Sequence, residues 1–463
     1  MEKASSQMLF FAACGVSALF AGCAHTAPSS NTIRPAATVG ATAQGLSWKP
    51  LYEPGSGGAM TDVSVSPFNS RRILVAGDML GVGVSTDRGE SWAATFGFKA
   101  WEMASFSWHP TKPNVVWVGS MSGPCLSTDG GVHWQEKRAG FPAPGFGYSA
   151  PIEKVLFDPN DAEHLLAIGG SSRHWSAPNK PLWGVIWESK NGGESWTRLT
   201  TITPDGSSNA ANADGDNITW ATFAPKSSTR LYARSDRAGM LSSNDGGKSW
   251  TRCNTGLPPT SWGRVAMHPS NPNILWASTD NYLPEGAKVR VPGGVYKTIN
   301  GGKNWTNSSK GLGTLAVGDD PNQTARYAAI AVAPTNPNLL YVNTYSYNTG
   351  TTYKSEDGGA NWRISVSKQN LGFEENDAAK LSAFQLETAC PAGMGLSGLA
   401  FDPKNADAVY GYNTEFIPRT LDGGRTWNDA TSKKSGDGWR GRGYGGWVST
   451  NFRFNPHRRG QSI

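Results

Sequence analysis

The stretch "SNDGGKSW", from Ser243 to Trp250, decides the fold because the chain repeats it. Seven versions occur, each with a central Asp or Asn, at least one Gly, and a Trp at the end. They begin at Ser85, Ser127, Ser189, Ser243, Thr298, Ser355 and Thr420. A period of about 40–65 residues is the signature of a repeat architecture.

A second phrase precedes each of these turns. It reads "VSVSPFNSRRILVAG" from Val63 and "VAMHPSNPNILWAST" from Val265. Each version has an apolar strand, a proline that ends it because proline cannot donate to a ladder, a tight turn, and a second apolar strand. A third strand enters the Asp-Gly-Gly turn, and the Trp opens a fourth. Four antiparallel strands repeated radially predict an all-β, seven-bladed β-propeller, with an incomplete eighth blade as an alternative.

The composition agrees with this fold class. The 463 residues include 56 Gly, 29 Pro and 19 Trp, and only 17% are charged, with a net charge of +6. This charge is too thinly spread to predict nucleic-acid binding. No CxxC motif or His/Cys cluster indicates a metal site, and no cofactor is expected. Of the cysteines after the N-terminal segment, Cys125, Cys253 and Cys390, we expect buried free thiols, because an odd number is a poor disulfide framework.

The N-terminal segment predicts export. Residues 1–23 contain the apolar run "MLFFAACGVSALFAGC", which has the length of a signal peptide and is too short for a membrane-spanning helix. It ends in a lipobox-like Ala21-Gly22-Cys23, which predicts lipidation of Cys23, with simple cleavage as the alternative. Residues 24–45 then form a flexible linker, and residues 46–463 form the propeller. The expected location is the outer membrane or cell surface as a lipoprotein, otherwise the periplasm or the medium.

The two ends of the propeller leave two interpretations. "GGWVSTNFRFNPHRRGQSI", from Gly445, repeats the start of a blade, and "LSWKPLYEPG", from Leu46, reads like a fourth strand. Phe452–Phe454 could pair with Ser47–Leu51 and close the ring. We favour the other interpretation, a propeller that is incomplete at its C-terminal end.

The repeated phrase resembles the Asp box of sialidases, of sortilin-type receptors and of the two-propeller xyloglucan hydrolases, over about 400 residues of this chain. Such a box staples a hairpin: the Asp or Asn bonds its own turn, the glycines adopt positive φ, and the Trp packs between blades. Because it joins the third strand to the fourth, we expect the functional face at the opposite end of the channel.

Two stretches resemble the xyloglucan hydrolases more closely. In "LYARSDRAGMLSSNDGGKSW", Asp236 matches an aspartate that is catalytic in that family, and the opening from Gly55 puts Asp78 at the equivalent place. The family uses two carboxylates, one from each propeller, to invert the anomeric centre. Here the second propeller is missing, and the Ile-Gly-Gly after the aspartate is replaced in both stretches. The resemblance therefore implies that Asp78 and Asp236 act within one propeller; the alternative is that they bond loop backbone.

Other side chains on the expected face are candidates for binding a polysaccharide: Trp101, Glu102, Trp175, Trp262 and Asp280. Aromatic rings suit sugar faces, although a propeller tryptophan also packs between blades. Arg237 and Arg264 are candidate contacts for anionic groups or ordinary solvated side chains. The sequence thus predicts an exported carbohydrate-active propeller, either a glycoside hydrolase of xyloglucanase type acting on β-glucans or a non-catalytic glycan- or protein-binding propeller. The only contact with a membrane that we expect is through the lipid anchor at Cys23.

Overall fold

The computed structural model describes residues 59–79, 81–95, 97–142, 149–170, 182–209, 215–259, 263–314, 324–344, 350–367, 395–413, 416–435 and 438–442. These residues contain strands and turns but no helix, and therefore no helix that could cross a membrane. The strands form seven four-stranded antiparallel sheets and one two-stranded hairpin. The predicted all-β, seven-bladed propeller is confirmed, and the described residues form no eighth blade.

The strands follow one another in chain order, four to a blade. Blades 1 to 4 contain β1 (Met60–Val65), β2 (Ile73–Gly77), β3 (Gly81–Ser85), β4 (Ala93–Ala94); β5 (Met103–Trp108), β6 (Val116–Ser120), β7 (Gly123–Ser127), β8 (Gln135–Glu136); β9 (Ile152–Asp158), β10 (Asp161–Gly169), β11 (Val185–Ser189), β12 (Thr197–Thr201); and β13 (Ile218–Phe223), β14 (Leu231–Ser235), β15 (Gly239–Ser243), β16 (Thr251–Arg252). Blades 5 to 7 contain β17 (Val265–Met267), β18 (Leu275–Ser278), β19 (Val295–Thr298), β20 (Thr306–Asn307); β21 (Tyr327–Ala333), β22 (Asn336–Thr344), β23 (Thr351–Ser355), β24 (Arg363–Ser367); and β25 (Gly398–Asp402), β26 (Asn405–Tyr412), β27 (Pro418–Thr420), β28 (Asn428–Asp429). The hairpin is β29 (Ser432–Ser435) and β30 (Gly438–Gly441).

The first strand of each blade is innermost. The first strands of blades 1 and 2, 2 and 3, 3 and 4, 5 and 6, 6 and 7, and 7 and 1 contact each other. The ring therefore surrounds a channel, and the fourth strands lie at its rim.

The repeated phrase forms the turn between the third and fourth strands. Ser242 pairs with Thr251, so the turn begins at Ser243. Asp245 Oδ1 accepts hydrogen bonds from the Ser249 N–H (2.9 Å) and the Ser243 hydroxyl (2.8 Å). Gly247 has φ 87°, a left-handed conformation that favours glycine, and its N–H donates to Ser243 Oγ at 2.9 Å. The expected turn chemistry is confirmed here.

Buried side chains at the blade boundaries complete the core. One cluster joins blade 1 to blade 7 and includes Val63, Trp92 and Tyr410. The Trp92 indole N–H donates to the Ala430 carbonyl at 2.8 Å, and Glu90 pairs with Arg419 across the same boundary. Blades 1 and 7 thus meet through side-chain packing and an ion pair. Phe452–Phe454 and Ser47–Leu51 lie outside the described residues, so their pairing stays a prediction.

The cysteine prediction holds where the structure describes it. Cys125 and Cys253 are free and buried, and burial raises the pKa of each thiol to about 12. Both are therefore uncharged and unreactive at neutral pH. Cys390 lies outside the described residues.

Candidate functional site

The end of the channel opposite the Asp-Gly-Gly turns carries the candidate site, and we call it the mouth. It is formed where second strands end and first strands begin. Asp78 follows β2, Asp236 follows β14, and Asp280 lies two residues after β18. Trp101 and Glu102 precede β5. The structure places these five predicted residues at the same end of the ring, with Asp78 and Asp236 three blades apart.

Asp78 and Glu102 lie side by side. An isolated antiparallel bridge joins them across the boundary between blades 1 and 2. Such a bridge separates two Cα atoms by about 4.5–5.5 Å and points both side chains to one face. Glu102 is only 3% exposed, whereas Asp78 is half-buried. The bridge therefore brings together a predicted catalytic carboxylate and a predicted substrate-binding one, of which Asp78 is the more accessible.

The residue after Asp78 and the residue before Glu102 have apolar side chains that are exposed to solvent. Trp101 is 47% exposed and Met79 is 65% exposed. Met79 also has φ 62°, a left-handed conformation that is unfavourable for a non-glycine residue by about 1–2 kcal/mol. An exposed aromatic ring at the mouth suits contact with the C–H face of a sugar. Substrate binding by Trp101 and Glu102 remains a prediction.

Asp236 is held by the residues that open its blade. The Asn217 side-chain amide donates to Asp236 Oδ2 at 2.9 Å, and the Asp236 N–H donates to the Asn217 carbonyl at 3.0 Å. Asp216, 3% exposed, accepts at Oδ2 from the N–H groups of Arg237 (2.8 Å) and Ala238 (2.9 Å). The Asp236 carboxylate is thus half-buried with a fixed orientation.

Arg234 supplies a positive charge that interacts with Asp236. It is buried, and burial lowers its pKa to about 10, while Asp236 and Asp280 oppose that shift and Arg264 adds to it. Asp280 is itself buried and accepts both a 2.6 Å and a 2.8 Å hydrogen bond from the Arg326 guanidinium. This bidentate Asp280–Arg326 ion pair joins blade 5 to blade 6. Asp280 is engaged by protein groups, and substrate binding by it remains a prediction.

The channel below the mouth is filled by charged side chains. The Arg264 guanidinium donates to the Thr219 carbonyl at 3.3 Å and to the Tyr412 hydroxyl at 3.4 Å, and lies 3.9 Å from Glu153 Oε1. These partners come from blades 4, 7 and 3, so Arg264, which precedes β17, spans the axis of the ring. Burial opposes its charge, but Tyr412, Glu153 and Asp62 leave the pKa of Arg264 raised. Arg264 therefore binds protein groups rather than being a solvated surface side chain.

Asp62 belongs to the same channel cluster. Its Oδ2 accepts from the Phe106 N–H at 2.9 Å, which links blades 1 and 2. Burial raises the pKa of the Asp62 carboxyl, and Lys154, the Phe106 N–H and Arg264 reduce that rise. The Ser105 hydroxyl likewise donates to Glu153 at 2.9 Å, which links blades 2 and 3.

Several predicted residues lie outside the described part of the chain: Cys23, Trp175 and Trp262. Within the described ranges, no group of three or more His, Cys, Asp or Glu side chains could hold a metal ion.

Sequence reasoning missed four polar residues that the structure places at the mouth or in the channel: Asp62, Glu153, Asp216 and Asn217. A signal existed for the first two, because each is an acidic residue near the start of a first strand, the innermost strand of its blade. Asp216 and Asn217 sit in "NADGDN", which reads as an ordinary polar loop.

Comparison with known proteins places the chain near xyloglucan-degrading enzymes. No protein-family model matches it. It is 24% identical over 422 residues to a xyloglucanase of a Paenibacillus species, a match that covers 81% of this chain and 39% of that protein. It is 24% identical over 438 residues to an oligoxyloglucan-reducing end-specific xyloglucanase of Emericella nidulans, covering 81% of this chain and 49% of that protein. The chain thus matches at most half the length of these two relatives.

Solved structures support the same fold. An ancestral GH74 enzyme superposes with a TM-score of 0.62 at 21% identity, over 86% of this chain and 50% of that one. The GH74 xyloglucanase from Xanthomonas campestris gives a TM-score of 0.56 at 18% identity, over 84% and 55%. YCF48 bound to a D1 peptide gives 0.50 at 15% identity, over 81% of this chain and 98% of that one. The chain is a seven-bladed β-propeller with neighbours among the GH74 enzymes.

Proposed function

We propose that this chain is an exported, carbohydrate-active propeller that hydrolyses β-glucans of the xyloglucan type. The observation that carries the proposal is the match, over about four fifths of the chain, to proteins named xyloglucanases. The candidate catalytic and binding residues for such a reaction lie at the mouth. Asp78 and Asp236 are half-buried carboxylates at one end of the ring, and Trp101, the residue before Glu102, offers an exposed ring at the same end.

The proposed chemistry is inverting hydrolysis by two carboxylates. One protonates the leaving glycosidic oxygen, while the other takes a proton from the water that attacks the opposite face of the sugar. Inverting enzymes hold the two carboxyl groups about 6.5–9.5 Å apart to leave room for that water. In this chain, Asp236 accepts a hydrogen bond from Asn217 and interacts with the buried Arg234, and we assign it the role of the base. Asp78 then takes the role of the acid.

The experiment is a hydrolysis screen of the purified protein. Xyloglucan, its oligosaccharides, mixed-linkage β-glucan and cellulose are incubated with the full chain, and new reducing ends are followed by chromatography and mass spectrometry. Release of xyloglucan fragments supports the proposal, and the anomer formed first, followed by NMR, tests inversion. If no substrate yields fragments while the protein remains folded, the enzymatic proposal is wrong.

A non-catalytic propeller that binds glycan or protein is the second candidate. Two observations favour it: the two aspartates are three blades apart, and a propeller bound to a peptide matches this chain over 98% of its own length. Calorimetric titration with xyloglucan oligosaccharides in the same preparations separates the two candidates. Binding without hydrolysis, abolished by Trp101→Ala but not by Asp236→Asn, would favour the binding module.

Export and lipid anchoring belong to the proposal as well. They rest on the apolar segment within residues 1–23 and on the small residues before Cys23. Expression of the full chain in a bacterial host with radiolabelled palmitate tests them. Label should enter the wild type and not Cys23→Ser, and the wild type should fractionate with membranes. Equal fractionation of both variants into the soluble periplasm would leave export and remove the anchor.

A further inference from the structure

The loop that opens blade 4 binds Asp236 from two sides. On one side, Asn217, 1% exposed, directs its amide N–H to Asp236 Oδ2 at 2.9 Å. The Asp236 N–H returns a 3.0 Å bond to the Asn217 carbonyl. A side chain fixed at its carboxylate and at its backbone has little rotational freedom. Asn217 therefore sets the orientation of the Asp236 carboxylate.

Asp216 fixes the turn that follows Asp236. Its Oδ2 accepts from the N–H groups of Arg237 and Ala238 at 2.8 and 2.9 Å, and its Oδ1 accepts from the Asn217 N–H at 3.0 Å. A buried carboxylate with three N–H donors is a strong, charge-assisted clamp. The turn after Asp236 is thus held by a side chain that lies about 20 residues earlier in the chain.

The same loop is anchored to the preceding blade. The Asp216 N–H donates to the Ile202 carbonyl of blade 3 at 2.7 Å. A Cβ on Gly215 would lie 1.7 Å from the Trp183 carbonyl oxygen, so only glycine allows the two backbones to approach this closely. Through these hydrogen bonds, Asp216 and Asn217 link the position of Asp236 to that of blade 3.

We infer that Asp216 and Asn217 are positioning residues for Asp236, because they hold its carboxylate and the turn that follows it in one orientation at the mouth. The inference rests on the proposed function, in which Asp236 is the base. Arg234, which is buried, is a charged group that interacts electrostatically with Asp236. Loss of an amide hydrogen bond to a carboxylate disfavours its charged form, so the pH dependence of Asp236 reports whether Asn217 holds it.

Three variants test this role. Asn217→Leu removes the amide donor at nearly constant volume. Asp216→Asn removes the charge of the clamp and is the second variant should Asn217→Leu fail to fold. Asp245→Asn is the matched control, because Asp245 also accepts backbone and hydroxyl hydrogen bonds in blade 4 but at the opposite end of the ring.

The first readout is hydrolysis of xyloglucan as a function of pH. Asn217→Leu should lower kcat about tenfold, with little change in KM, because one charge-assisted hydrogen bond is lost. The acidic limb of its pH profile should move up by about one pH unit. The control should keep the wild-type profile. An unchanged profile and kcat in a folded Asn217→Leu protein, with Asp236→Asn inactive, would overturn the inference and leave the proposed function intact.

The second readout does not need activity. The carboxyl ¹³C resonance of Asp236, identified by its absence from Asp236→Asn, is followed with pH in the wild type and the variants. Its titration midpoint should rise in Asn217→Leu and stay constant in Asp245→Asn. Should the wild type hydrolyse nothing, a rise would still support the positioning role while the proposed function fails. An unchanged midpoint in Asn217→Leu overturns the inference in either case.

Discussion

At the scale of single residues, the decisive change is from carboxylate to amide. Asp78→Asn and Asp236→Asn keep the shape of the side chain but remove the acid or the base. Each should lower xyloglucan hydrolysis at least about a hundredfold, the lower scale of acid–base catalysis. Melting temperature should barely change, since both residues lie at the ends of strands, outside the apolar core. Full activity in either folded variant would assign the chemistry to other residues.

Trp101 separates binding from chemistry at the same scale. Its ring is 47% exposed and stands next to the bridge between Asp78 and Glu102. Trp101→Ala should raise KM for xyloglucan about tenfold or more, the loss expected for one stacking aromatic, and change kcat less. Trp101→Phe is the matched control and should keep most of the affinity. An unchanged KM in Trp101→Ala would remove Trp101 from the substrate path.

At the scale of elements, substitutions in the Asp-Gly-Gly turns test how much each turn stabilises its blade. Asp245→Ala removes three hydrogen bonds to its turn and should lower the free energy of unfolding by about 1–2 kcal/mol, measured by urea denaturation. Asp245→Asn should cost less. The chain itself supplies the precedent, because Asn191 accepts the same bonds from Ser195 N–H and Ser189 Oγ at 3.0 and 2.9 Å. Substrate binding should survive both changes; its loss at unchanged stability would contradict the assignment of the mouth.

The same turns carry a predicted acid sensitivity. The Asn361 side chain and backbone N–H, against weak burial, hold the pKa of Asp357 at about 2. A folded-state pKa below the unfolded value of 3.8 adds stability that is present above about pH 4 and is lost as pH falls toward 2. Asp357→Asn should therefore flatten the fall of melting temperature between about pH 4 and pH 2 relative to wild type. Parallel curves for the two proteins would contradict the pKa shift.

The elements are also where sequence reasoning performs best. The strand–proline–strand phrase and the Asp-Gly-Gly turn are local patterns, and each predicted blade has its four strands in the structure. Two strands, β13 and β14, separate Asp216 from Arg237 and Ala238 in the sequence, and the contacts of Arg264 cross the ring. No local period encodes such contacts, so the sequence predicted which end of the ring to inspect but not which side chains meet there.

At the scale of the whole molecule, Arg264 joins blades that are not neighbours. Removing it takes away the cation that lies 3.9 Å from the Glu153 carboxylate, a side chain that is 2% exposed. Breaking a buried ion pair by deleting one partner typically costs about 3–5 kcal/mol, since the remaining charge stays buried. Arg264→Met should therefore lower the free energy of unfolding by about 3 kcal/mol, measured by urea denaturation.

The double variant shows whether that loss comes from the stranded charge. Arg264→Met combined with Glu153→Gln removes both charges, and should recover most of the stability, because apolar or neutral replacements of a buried pair are often tolerated. Asp62 and Tyr412 also face Arg264, so part of the loss should persist in the double variant. Arg237→Ala, an exposed arginine at the mouth, is the control and should stay within about 0.5 kcal/mol of wild type. If the double variant is as unstable as Arg264→Met, the ring is held by the span of the arginine side chain and not by its charge.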